Sequence, residues 1–252
     1  MTEEDSFQTT YLGGAERGRR DDLTTSVTPT RPPRKTVTPK GFDADDNPLR
    51  VAVIYYSATG IVHQLAQSVA QGARDAGGSV RVVRVRETVS RDIIGANPLW
   101  DAHVRETASV PIATTDDVQY ADVVLLGTPT RFGNVSSQLQ AFIDTWGQMW
   151  GDGAIEDKVF AAFTSSATHH GGQEGTIQAI YRMVCHLGGI VVPPGYTEPS
   201  QFITGNPYGA SHTSNNGQIP PDADALQSAW VTGNRATRVA RALRLGTEIL
   251  NR

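Results

Sequence analysis

Cysteine is almost missing: the 252 residues include one, Cys185. A single thiol excludes an intrachain disulfide framework and any cysteine-rich metal site. It also suits a reducing compartment, so a cytoplasmic protein is expected. Long apolar runs are missing too. None approaches the roughly 20 residues needed to cross a bilayer, and no membrane span is expected. There is no excess of positive charge. Lys and Arg number 22 against 26 Asp and Glu, a formal net charge of −4, so no global field draws nucleic acid or an anionic membrane. The opening MTEEDSFQTT has neither a basic n-region nor an apolar h-region, and a secretory signal is not expected. His169 and His170 are adjacent, but no Cys or carboxylate stands near enough to complete the three or four ligands of a zinc site. No metal is expected. What is present is 38% hydrophobic residues, enough for a buried core.

Residues 1–48 read differently from the rest. TTSVTPTRPPRKTVTPKGFDADDNP is rich in Thr, Pro and charges of both signs and has no hydrophobic period. Such a segment buries too little apolar surface to offset its ordering entropy, so a disordered or extended arm is expected. Residues 49–252 are expected to form one domain.

From Val51 onward, apolar runs alternate with helical stripes. Val51–Tyr56, Val80–Val85, Ala121–Gly127, Val159–Thr164 and Ile190–Val192 read as strands. Val62, Leu65, Ala66, Val69, Ala70 and Ala73 fall at helical spacing, closed by Gly77-Gly78. Val135, Leu139, Phe142, Ile143 and Trp146 make a second stripe, and Ile177, Ile180, Tyr181 and Val184 a third. A short helix and a loop are expected over 90–117, a long loop over 195–221 and a closing helix over 222–250. Apolar strands separated by helices imply a parallel sheet covered on both faces. The fold class is therefore α/β. Five strands with right-handed crossovers fit a doubly wound, flavodoxin-like sheet of order 2-1-3-4-5, which is the expectation. Ligands of such sheets bind at the strand C-terminal ends, near the switch between strands 1 and 3. The loops 57–62, 128–134 and 165–173 are the candidate site.

The first loop, Ser57 to Val62, joins a strand to a helix N-terminus, where unpaired N–H groups and the helix dipole suit a phosphate. It has neither the Lys of a nucleotide P-loop nor a G-x-G-x-x-G pattern. One phosphate monoester at the switch point of this fold points to FMN; an ordinary N-cap is the plainer alternative. In the second loop, Phe132 offers an aromatic face, and Arg131, Asn134 and backbone amides offer donors to a flat ring. A Pro-Gly turn capped by Asn134 explains the turn residues but not Arg131 beside Phe132. The small residues of the third loop let amides approach a ring edge. Glu174 suits the first turn of the helix that follows.

YYSATG, GTPTRFGN, HHGGQE, GGIVVPPGY and NPYGA stand in that order between Val51 and Leu245. Together they resemble the successive motifs of the WrbA family, the flavodoxin-like NAD(P)H:quinone oxidoreductases. By that resemblance, Ser57, Ala58, Thr59, Gly60, Ile61 and Val62 hold the FMN phosphate. Thr130, Arg131 and Phe132 line the ring, with Asn134 nearby, and Ser165, Ser166, Ala167, Thr168, His169 and His170 bind its edge. His186 matches a family histidine near the flavin; on its own it reads as a helix C-terminal His favoured by the dipole. Trp150 matches an aromatic wall where nicotinamide and quinone stack, and Tyr196 a pocket-lining tyrosine. The polar, Gly-flanked setting of Trp150, QMWGDG, argues against deep burial. The resemblance further implies NADH or NADPH as donor, a small-molecule quinone as acceptor, and a homotetramer that completes each pocket from neighbouring chains. No side chain acts as a nucleophile. Arg131, the loop amides and His186 are the candidate charge stabilisers.

Three positions depart from the family pattern. Thr59 stands where an aromatic residue is frequent, Ile61 where His is common, and His169-His170 where some members carry Gly. Two rival readings remain: a one-electron carrier of the flavodoxin type, and a flavin-binding scaffold without reductase activity.

Overall fold

The computed structural model describes residues 48–250. The arm expected over 1–48 lies, apart from Pro48, outside the described residues. The chain then runs β1 (Leu49–Tyr55), α1 (Ile61–Asp75), β2 (Gly78–Arg84), α2 (Arg91–Gly95), α3 (Pro98–Glu106), α4 (Thr115–Tyr120) and β3 (Val123–Pro129). It continues through α5 (Ser137–Asp144), α6 (Gly147–Gly151), β4 (Val159–Ser166), α7 (Gln173–His186), β5 (Ile190–Val191), α8 (Pro199–Thr204), β6 (Ser211–Thr213) and α9 (Ala223–Leu250). The sheet order is β2-β1-β3-β4-β5, and every pairing is parallel. That is the doubly wound order expected from the alternation of apolar runs and helical stripes.

Side chains of β1 alternate between the two faces, as a two-residue repeat requires. Val51, Val53 and Tyr55 pack with Val62, Leu65 and Val69 of α1 and with Ala225 and Ala229 of α9. Ala52 and Ile54 pack on the other face with Leu139 of α5, Trp146, and Ile177 and Ile180 of α7. β3 and β4 are buried along their whole length, which is why their sequences are apolar without alternation. The crossing of α1 and α9 needs two glycines. A Cβ on Gly72 would run into the carbonyl of Trp230, and one on Gly233 into that of Val69.

The structure differs from expectation in four places. Among the described residues the sheet has six strands rather than five. β5 pairs with the start of β4 (Val159↔Ile190) and β6 with its end (Thr164↔Ser211). β3 occupies the other edge of β4, so β5 and β6 share one column, and residues 192–210 leave the sheet between them. The polar Ser211-His212-Thr213 carries no hydrophobic run, so sequence patterning could not find it. The same excursion contains α8, where one unbroken loop was expected. Residues 90–117 hold three short helices instead of one. Finally, the stripe ending at Trp146 breaks: α5 stops at Asp144, and Trp146 caps α6 while still buried beside Phe160.

Candidate functional site

The C-terminal ends of β1, β3 and β4 bring the three expected loops together. In the first, the Ser57 Oγ accepts the Gly60 N–H at 3.1 Å. Gly60 is the N-cap of α1, at φ 91°, and supplies no side-chain cap. The plainer N-cap reading therefore does not hold: Ser57 shapes the loop, not the helix end. The first-turn amides of Ile61, Val62 and His63 have no intrahelical acceptor, and no acidic residue sits in that turn. Ile61 and Val62 turn their side chains into the core, leaving only their backbone to face a ligand. Ala58 is buried; Thr59 is half-buried.

The second loop is a two-residue turn. The Arg131 N–H donates to Asn134 O at 2.8 Å, and the Asn134 N–H donates to Arg131 O at 3.0 Å. Between them Phe132 and Gly133 both have positive φ, 53° and 77°. Hairpin turns of this kind favour Asn-Gly; a phenylalanine there costs roughly 1–2 kcal/mol of backbone strain. Its ring gains no packing in exchange, being 107% exposed relative to a reference Phe. Arg131 is exposed, with Nη1 donating to Thr130 O, and Asn134 is exposed with Oδ1 accepting from Val135 N–H.

Loops two and three are tied. The Thr130 N–H donates to Ser165 O and its Oγ1 to Gly171 O, both near 2.9 Å. A Cβ on Gly172 would come within 2.6 Å of Gly133 Cα. Ser165 and Ser166 are buried at the end of β4. The Ser166 hydroxyl donates to Thr168 O and accepts from Gln173 Nε2, so it braces the loop. Ala167, Thr168, His169 and His170 are exposed, the two imidazoles edge-on at 5.0 Å. Among the described residues no group of three metal-ligating side chains occurs. Glu174 lies in the first turn of α7, as expected.

A fourth wall stands on the stretch 195–221, which reads from sequence as a pocket-building insertion, though its wall residues were not singled out. The Ser214 N–H donates to Ser166 O and the Asn215 N–H to Ala167 O. Asn215, Asn216 and Gly217 follow with φ of 46°, 57° and 88°. Gly217 lies against Thr59, whose side chain a Cβ would strike. The string SNNG carries the signal, since Asn and Gly are the residues that accept this backbone.

Three expected residues are not gathered here. His186 ends α7, whose first residue Gln173 borders the loops. Thirteen residues of helix separate them, about 20 Å. Trp150, in α6, is 59% exposed and precedes β4, so it too lies toward the opposite pole. There the Asp157 N–H reaches Gly188 O, joining the α6–β4 connection to the end of α7. Within one chain, neither His186 nor Trp150 joins the loops, because a parallel crossover returns each helix to the N-terminal side of the sheet. Tyr196 sits on the 192–210 excursion, its ring stacked on Phe202 at 4.9 Å and its hydroxyl donating to Gly205 O.

Glu87, just past β2, also went unread. Oε2 accepts from the hydroxyl of Tyr56 (2.8 Å) and from Trp100 Nε1 (3.0 Å). Oε1 accepts from Gln138 Nε2 and from the amides of Thr88 and Val89. Burial alone would raise this carboxyl, but the bonds from Val89, Tyr56, Gln138 and Trp100 prevail and hold it below its ordinary value. It thereby ties Tyr56, next to the first loop, to α5, which follows the second.

The loops thus offer uncapped helix amides and an unpacked aromatic ring on the same pole, a fit for a flat phosphorylated group such as FMN. Residues 49–202 match the family described as NADPH-dependent FMN reductase. The chain is similar to an NAD(P)H dehydrogenase (quinone) of Deinococcus radiodurans, 43% identical over 169 residues, covering 67% of this chain and 84% of that one. A protein of the same name from Acidovorax ebreus is 40% identical over 77% of this chain and 98% of its own length. Among solved structures, a flavodoxin, WrbA-like protein from Agrobacterium tumefaciens superposes with a TM-score of 0.54 at 25% identity, over 77% of this chain and 98% of that one. With its parallel sheet, its loops and these likenesses together, the chain belongs to the NADPH-dependent FMN reductase family.

Proposed function

We propose that this chain binds FMN at its four loops and uses NADH or NADPH to reduce small quinones by two electrons, in a ping-pong cycle with one shared site. The observation that carries the reading is Phe132, an aromatic ring held unpacked on a strained turn on the same pole as an uncapped helix N-terminus. A flat phosphorylated ligand uses both. The name shared by the relatives, NAD(P)H dehydrogenase (quinone), supports the donor and the acceptor.

In this reading the amides of Ala58, Thr59, Ile61 and Val62 and the Thr59 hydroxyl take the phosphate, with Ser57 fixing the loop through the Gly60 N–H. Thr130, Arg131, Phe132 and Asn134 line the ring, and Ser165 to His170 border its edge. When bound, FMN supplies the chemistry: it accepts hydride from the nicotinamide and delivers two electrons to the quinone. The chain contributes placement and charge, with Arg131 and the loop amides stabilising negative charge at the ring edge. Trp150, Tyr196 and His186 are exposed. Trp150 and His186 would reach a pocket only from a neighbouring copy, which supports a homotetramer. The single cysteine supports a cytoplasmic location.

Stopped-flow mixing without oxygen tests the function. The FMN-loaded protein is mixed with NADH or NADPH, and the reduced product with a quinone. The yellow absorbance should bleach within a turnover with at least one donor and return on the quinone. No bleaching with either donor removes the reductase reading; recovery in one-electron steps favours a carrier instead.

A further inference from the structure

The anion loop is short of positive charge. Residues 57–62 contain no Lys or Arg, yet a phosphate monoester brings nearly two negative charges. The missing charge stands behind the loop. His103, on α3, is only 5% exposed, and its ring lies against Gly60: a Cβ there would be 3.4 Å from His103 Nδ1. Among the described residues the His103 ring makes no hydrogen bond. Its neighbour His63, in the first turn of α1, stacks obliquely with ring centroids 5.5 Å apart and shares a 2.6 Å hydrogen bond between its Nδ1 and the Tyr55 hydroxyl. Arg84, at the end of β2, is held by Nε on Thr107 O. Arg84, His103, Ser57, Tyr55, Tyr56 and Glu87 line a small cavity under the loop.

We propose that His103, backed by His63 and Arg84, supplies the positive side of the phosphate site in place of a lysine. This rests on the FMN reading above and goes beyond it by naming the residues that answer the phosphate charge. A buried histidine is more often core filling, and a core role predicts a satisfied ring. Here the side chain is 5% exposed, makes no hydrogen bond through its ring to a described residue, and lies directly beneath the uncapped end of a 15-residue helix.

The charge on His103 would come with the ligand. Burial, with help from His63 and Arg84, holds free His103 at about 4, so it is neutral near pH 7. The groups facing this pair have fixed charges near neutrality. Tyr55, pushed by burial to about 12, stays neutral. Arg84 is positive; Glu106 acts on His63 in the opposite sense. Glu87 is already occupied by its five donors. A phosphate held by the loop amides across Gly60 raises the bound value, so binding takes up a proton. The sign follows: FMN affinity falls as pH rises through that bound value. Riboflavin, which has no phosphate, lacks this dependence.

The test titrates full-length, flavin-free protein with FMN and with riboflavin by fluorescence quenching, between about pH 6 and about pH 9, with proton uptake read by calorimetry in two buffers. The wild type should favour FMN over riboflavin, and the preference should shrink as pH rises. H103Q should weaken FMN about tenfold, the loss of one charge close behind the phosphate, and leave riboflavin unchanged. H63Q should give a smaller loss of the same kind. An unchanged FMN-to-riboflavin ratio in H103Q, or in H63Q if H103Q does not fold, overturns the proposal, as does a wild type that takes up no proton. A wild type that binds neither flavin overturns the FMN reading itself, and this inference with it.

Discussion

The two poles of the sheet are built by opposite rules. At the N-terminal pole, side chains close off the backbone. Asp122 accepts the Arg50 N–H at 2.8 Å and two bonds from its guanidinium, while the Asp122 N–H donates to Arg50 O. Lys158 Nζ caps the carbonyls of Gln119 and Ala121. Charge there is spent on stability. At the C-terminal pole, the N-terminal end of α1 has no side-chain cap, a phenylalanine sits in a conformation suited to Gly or Asn, and residues 57–62 carry no charged side chain. Uncapped amides and a strained, unpacked ring at one pole, against backbone groups capped by charged side chains at the other, support the proposed ligand site at the C-terminal ends of the strands. Glu87 is the exception, a group at the open pole bonded as densely as any at the closed one.

Glu87→Ala should therefore have the largest effect, because it strands the donors of Tyr56, Trp100 and Gln138. We expect a loss of about 3 kcal/mol in urea unfolding, with weaker FMN binding in fluorescence titration. If stability falls while flavin affinity is unchanged, Glu87 belongs with the closed pole in function as well as in style. Asp122→Ala should cost about 2 kcal/mol, since the pair it breaks is partly exposed, and should leave flavin affinity as it was. A loss of flavin here would erase the division between the poles.

Phe132→Gly should move stability the other way. It relieves the strained turn, so thermal melting of the flavin-free protein should show a gain of roughly 1 kcal/mol, while FMN affinity falls. A melting temperature that drops would mean the ring is packed after all. The smallest effect is in acid. Burial opposes ionisation of Asp122, but its bonds and charge pairing with Arg50 hold its carboxyl below the ordinary value. The pair's contribution is thus complete above the unfolded value of about 4 and lost as pH falls through the folded one. Stability curves of the wild type and Asp122→Asn should converge at low pH; parallel curves would deny the linkage.

Much of the architecture was readable because it is written in apolar spacing. β3 and β4 are continuous apolar runs since both faces are covered, and α1 shows its stripe since one side meets the sheet. The strand order followed from that alternation together with right-handed crossovers and the fit to a known doubly wound order. What escaped lacks that spacing. β6 is three polar residues held by the backbone of β4, and α2 and α4 are too short to show a period. The wall at Asn215–Gly217 is defined by backbone conformation, not by hydrophobicity. Glu87 and His103 could not be paired with their partners, because Glu87 meets Gln138 across 51 positions of sequence and His103 meets Gly60 across a fold that spacing does not reveal. His186 and Trp150 were assigned by likeness to a family, and a single chain carries them to the far pole.

The divided fifth column also bears on synthesis. Its second half, β6, and the Asn-Asn-Gly bend after it emerge from the ribosome after every other part of the binding loops. A nascent chain halted before Ser211 would own the hollow but not the piece that presses on Thr59.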